Sequence, residues 1–127
     1  MAPLASAAAL LAAAIHVLFF VIESVTFSRP SVAARFGLTT PEQVAAVRPM
    51  AFNQGFYNLF LAAGVVIGLV LVATGSVDAG RAIVLFACAS MVGAGIVLVS
   101  SVPRLAQSAA IQALPPALAI LLAVVLR

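Results

Sequence analysis

The sequence is short of charge. Of its 127 residues only 7% are charged, and it has no tryptophan, one cysteine, one histidine and one tyrosine. Its six basic residues are all arginine. Each scarcity excludes something. A soluble domain averages roughly 25% charged residues, so this chain cannot cover a wet surface with polar side chains. Disorder needs low hydrophobicity and high charge, which a 65% hydrophobic composition contradicts. The arginines, Arg29, Arg35, Arg48, Arg81, Arg104 and Arg127, are scattered. Nucleic-acid binding needs basic residues clustered on one surface, so no nucleic-acid partner is expected. The pI of about 10.6 reflects a chain with three acids rather than a basic face. A lone Cys88 excludes an intrachain disulfide or a cysteine-based zinc site. Lying inside an apolar run, it reads as a small buried residue. Without tryptophan, no aromatic belt marks either interface.

What is present is long apolar sequence, with a mean hydropathy of +1.30. Four segments, about 4–27, 50–74, 82–102 and 107–126, each hold some 20 residues or more. At about 1.5 Å per residue each can cross a hydrocarbon core of about 30 Å. Lipid offers the backbone no hydrogen bonds, so each must be helical. The runs are too long and too uniform for transmembrane β-strands. Residues 4–15 resemble the apolar part of a secretory signal. No basic region precedes them, however, and the run continues past His16 to Phe27, so they read as a retained span.

The expected fold is therefore all-α: one domain, 1–127, forming an integral membrane four-helix bundle, up-down-up-down. The connections 75–81 and 103–106 are short, which makes neighbouring helices antiparallel. The first loop, 28–49, is long. Within it Thr40-Pro41-Glu42-Gln43 has the pattern of a helix start. Thr40 is the N-cap, Pro41 the first helical residue, and Gln43 closes a capping box. A short interfacial helix over 41–48 follows, with Pro49 opening the second span. Four arginines on the loop side (Arg29, Arg35, Arg48, Arg104) face two on the other (Arg81, Arg127). This asymmetry puts the long loop in the cytoplasm and both termini outside the cell membrane.

Small residues let helices approach closely in lipid. Gly64 and Gly68 form such a motif on the second span, and Ser90, Ala94, Val97 and Ser101 a mostly small face on the third. Packing within the chain is the favoured reading for these. A homo-oligomer seam through Gly64 and Gly68 is the alternative.

Polar groups inside spans are costly and usually face a bundle interior or cavity. On the first span His16 and Glu23 are seven residues apart, within about 20° of each other at helical periodicity. On the second, Asn53, Gln54, Tyr57 and Asn58 cluster around Gly55, which lets another group approach closely. On the fourth, Gln112 precedes Pro115 and Pro116, which cannot donate to the carbonyls of Ile111 and Gln112. Depth along the helices places these groups in one polar pocket reaching inward from the loop side. There Glu23 can donate, carry a proton, or act as counter-ion to Arg48 or to a cationic ligand. His16 can relay a proton, Tyr57 can act as an acid, and the amides can orient a ligand. Each also has a structural reading, as polar glue between helices. His16 and Glu23 alone leave a metal shell incomplete, and no haem or other cofactor fingerprint is present, so neither is expected.

Three functions are compatible with these residues. The first is binding or transport of a small amphipathic or cationic molecule. The second is an enzyme using Tyr57, Glu23 and His16 on an apolar substrate. The third is an accessory subunit. No nucleophile and base pair speaks for the enzyme, and the chain has no second half for alternating access, though a dimer could supply one.

His16-x6-Glu23, Asn53-Gln54-Gly55-x-Tyr57-Asn58 followed by Leu61-Ala62-Ala63-Gly64, and Gln112-x-x-Pro115 together resemble the domain-of-unknown-function 1304 family. The resemblance extends over nearly the whole chain and implies a small bacterial inner-membrane protein with four spans. Ile15 stands where the family usually has an acid, and Val97-Leu98 where it has tyrosine-glycine. Ala113 and Pro116 replace the family's glycine and alanine.

Overall fold

The computed structural model describes residues 1–126; Arg127, counted above among the far-side charges, lies outside them. The chain is all-α, 88% helical, with no strand among the described residues. Five α-helices follow in order: α1 (Pro3–Phe20), α2 (Pro30–Ala33), α3 (Pro41–Ala73), α4 (Val77–Ser101) and α5 (Ala106–Val125). A π-helical turn, Val21–Val25, extends α1, and 3-10 turns follow α2 and precede α5. Four helices are long and apolar enough to cross a membrane, ending at Val25, Ala73, Ser101 and Val125. The chain reads as a multi-pass membrane protein. Many large apolar side chains face outward, among them Leu4, Phe60, Phe86 and Leu114, as lipid-facing positions must.

The structure divides into two compact units, Met1–Ile15 with Leu61–Arg127, and His16–Phe60. In the first, four helical segments surround one apolar core. An alanine stripe on α1 (Ala8, Ala9, Ala12, Ala13) meets Val65 of α3, Val84, Cys88 and Met91 of α4, and Ala119 of α5. Cys88 is free and buried. The buried face of α4 runs through Gly80, Val84, Ala87, Cys88, Met91 and Gly95. Of the small face expected at Ser90, Ala94, Val97 and Ser101, Ser90 and Ala94 are half-buried, whereas Ser101 and Val97, the latter 66% exposed, turn outward. The physical reason is local. Ser90 and Ser101 donate to the carbonyls of Phe86 and Val97 on their own helix and so need no partner helix.

Gly68 packs within the chain. A Cβ there would stand 2.7 Å from Val84 Cγ2 and 2.8 Å from the Gly80 carbonyl oxygen. Gly64 faces Ala87. Gly75 ends α3 at a φ of 100°. Beside it the Ser76 amide donates to Leu71 O at 2.9 Å and the Gly75 amide to Val72 O at 3.4 Å. That pair of bonds is a Schellman end, which needs a residue free to adopt the left-handed region. Arg81 donates to the Ala123 carbonyl at the end of α5. A guanidinium there satisfies an orphan acceptor and suits the negative pole of the helix.

The second unit carries the long loop. Its α2 and following 3-10 turn stop at Gly37, φ 78°. The Gly37 amide bonds Ala34 O and the Leu38 amide bonds Ala33 O, a second Schellman end. Sequence reading did not foresee this helix over 30–36. It expected a separate one over 41–48, and here the structure differs again. Residues 41–48 are helical but run without a break through Pro49 into the second span. The capping box starts the helix, and Pro49 removes one hydrogen bond without ending it. At 33 residues α3 is about 50 Å long, more than the hydrocarbon needs.

The cap itself forms as expected. Gln43 Oε1 accepts from the amides of Thr39 and Thr40, at 2.9 and 3.3 Å. The Gln43 amide donates to Thr40 Oγ1 at 3.3 Å. Replacing Thr40 with alanine is expected to cost about 1 kcal/mol. Denaturant unfolding checks this, together with faster hydrogen exchange confined to the first turn of α3.

Candidate functional site

The candidate site lies in the second unit, where the end of α1 meets the start of the second span. The π-turn is its base. The Thr26 amide reaches back five residues to Val21 O at 2.9 Å, and Thr26 Oγ1 bonds the same oxygen at 3.2 Å. A π-turn inserts extra backbone into a helix and often marks a functional position. Here it carries Glu23 and Ser24 and resets the phase with which Glu23 follows His16.

Ser24 holds α3 close. Its hydroxyl donates to Phe52 O at 2.8 Å, and a Cβ on Gly55 would overlap its Oγ. Gly55 thus does what its sequence position implied, and the group that approaches it is Ser24. Phe56 adds an apolar clamp, its ring 5.1 Å from Phe20 and 5.0 Å from Phe52.

This close approach brings Asn58 to Glu23. The Asn58 Nδ2 donates to Glu23 Oε2 at 2.7 Å. Asn58 is buried, at 5% exposure, and Glu23 is half-buried. No cationic side chain pairs with Glu23 among the described residues. Of the roles open to Glu23, pairing with Arg48 does not form; Arg48 lines a groove between the first loop and α3 instead. His16 is fully buried with Phe19 set edge-on, ring centres 5.8 Å apart. It keeps a bonding partner within the structure, and its Nε2 is a buried atom without a hydrogen bond among the described residues.

The remaining named residues sit differently. Asn53 and Gln54 are exposed, and Tyr57 is 58% exposed. The structure therefore buries Asn58 from the polar block and turns its other three members outward. Gln112 is half-buried on α5, in the first unit. The helix continues without a break through Pro115 and Pro116. Ser24 was missed by sequence reading. Its only signal was a serine beside an acid in an apolar run. The π-turn left no signal at all.

Chemically, the arrangement is a carboxyl group at a membrane-spanning helix end with one oxygen held by an amide. Oε2 is engaged by Asn58, while Oε1 has no protein donor among the described residues. No three histidine, cysteine, aspartate or glutamate side chains gather there as a metal set among the described residues.

No curated protein and no solved structure matches the chain. A family model does match, over residues 10–124, and it is the one described as protein of unknown function. By that match, which spans nearly its whole length, the chain belongs to the DUF1304 family.

Proposed function

We propose that this multi-pass membrane protein binds, or carries across the membrane, a small amphipathic or cationic molecule, with Glu23 as its counter-ion. The observation that supports the reading is the half-engaged carboxylate. Asn58 orients Glu23 through one oxygen and leaves Oε1 without a protein donor among the described residues. An ionisable group within a span is costly to keep and is a functional site by default. A carboxyl with no arginine against it can be completed by a proton or by a cation from outside the chain, and this reading assigns the cation. The buried ring of His16 and the aromatic side chains of Phe20, Phe52 and Phe56 belong to the same unit. Phe20, Phe52 and Phe56, which are half-buried or exposed, give an amphipathic ligand apolar surface to lie against.

The acid–base alternative requires Tyr57, Glu23 and His16 to converge. Tyr57 is 58% exposed while His16 is fully buried, so binding ranks first. The protein is placed in the cytoplasmic membrane of a bacterium, long loop inside and both termini outside. The four loop-side arginines support that orientation.

Equilibrium binding of tetraphenylphosphonium to the detergent-solubilised protein tests the proposal. Glu23→Gln keeps the size and a hydrogen-bonding group but removes the charge. It is expected to weaken binding at least about tenfold, the equivalent of about 1.4 kcal/mol. Affinity unchanged by Glu23→Gln in a folded protein would end the counter-ion reading.

A further inference from the structure

A second site lies within the same unit, away from Glu23. The first loop and the start of α3 enclose a half-open groove of about 680 Å³. Its walls are mainly apolar, from Pro30, Ala33, Leu38, Val44 and Ala45, and Arg48 is its one charged side chain. Arg48 makes no ion pair and no hydrogen bond among the described residues. Thr39 and Thr40 also line the groove, but their polar atoms are engaged by Gln43 in the helix cap. The residues left for polar recognition in the groove are the cationic Arg48 and Ser28.

We propose that this groove holds an anionic phospholipid, its phosphate on Arg48 and its glycerol and upper acyl chain along the apolar wall. Charge complementarity selects the occupant. An arginine without an acid in the same groove favours a phosphate, which its planar fork can hold in two places. The apolar wall favours a phosphate that carries a chain. The location agrees, because the groove sits where the long loop joins the second span, and the ends of a span lie near the headgroup region. Its volume falls in the range of about 300–1,000 Å³ typical of small-molecule pockets. It therefore takes a headgroup and part of one chain rather than a whole lipid. Basic pockets beside spans recognise anionic headgroups in this way.

Native mass spectrometry of the full chain in detergent tests this, with phosphatidylglycerol and phosphatidylcholine of matched chains as competing probes. The wild type is expected to retain phosphatidylglycerol about fivefold better, the effect typical of one basic residue near a headgroup. Arg48→Gln is expected to abolish that preference, and Arg35→Gln, outside the groove, to preserve it. Ala45→Phe, which fills the groove from an exposed position, is expected to lower retention of phosphatidylglycerol. Equal losses in Arg48→Gln and Arg35→Gln would reduce the effect to general surface charge and overturn the proposal. So would competition by free glycerol phosphate as strong as by the lipid, since the apolar wall would then contribute nothing.

Discussion

Gly80→Ala is expected to destabilise the protein more than any other single methyl group added to it. The new Cβ would overlap the Gly68 carbonyl oxygen, stand 2.7 Å from the Val72 amide nitrogen and 2.9 Å from Leu71 Cβ. Two of these three neighbours are backbone, so no rotamer change relieves them. Helices α3 and α4 would have to move apart, and the alanine, valine and methionine contacts of the core would open with them. Overpacking a tight site costs about 1–3 kcal/mol and sometimes more. For a chain of this size that lowers the midpoint of thermal unfolding by roughly 5–15 °C. Gly93→Ala is the matched control on the same helix. Nothing lies within 4 Å of its added Cβ, and alanine is the better helix former by about 1 kcal/mol. It is expected to be neutral or stabilising. Thermal unfolding in detergent decides, and equal midpoints for the two variants would contradict this packing.

Gly55→Ala is expected to have the second-largest effect, and it acts on stability and on the site together. Its Cβ would overlap Ser24 Oγ and lie 3.1 Å from both Ser24 Cβ and the Ser24 backbone nitrogen. Ser24 would have to release Phe52 O, and the π-turn carrying Glu23 would shift away from Asn58. A loss of about 1–3 kcal/mol follows from the crowding. Combining Gly55→Ala with Ser24→Ala removes the worst overlap but not the two contacts at 3.1 Å. The double variant should therefore recover part of the loss, a coupling of about 1 kcal/mol or more. Strict additivity would mean that the two residues do not touch.

Much of the architecture was readable from composition. The four spans follow from apolar runs of about 20 residues, because lipid leaves the backbone no other choice. The start of α3 follows from Thr40, Pro41 and Gln43, because capping is local chemistry. Residues that act across helices were harder to place. Glu23 and Asn58 stood out as polar groups in spans, and Gly55 as a place of close approach. Which face of α3 turns inward depends on how it docks, and docking here depends on Ser24 meeting Gly55. Nearness in sequence grouped Asn53, Gln54, Tyr57 and Asn58 together, yet Asn58 is the buried one. The π-turn escaped because the residues Val21–Val25 look like ordinary span. The continuity of α3 through Pro49 escaped because proline normally signals an end, and a helix already capped and packed can tolerate the loss of one bond. The alanines of α1 looked like generic span sequence, whereas their spacing supplies the flat face on which the first unit closes.

On the proposed function the Glu23 carboxyl, oriented by Asn58, is a ligand site. A structure of the protein with tetraphenylphosphonium bound tests it most directly. The cation is expected beside Oε1 of Glu23, with the Asn58 amide still on Oε2. Cation density elsewhere, with His16, Glu23 and Asn58 all paired inside a closed and dry interior, would contradict it and leave these groups as polar glue between helices.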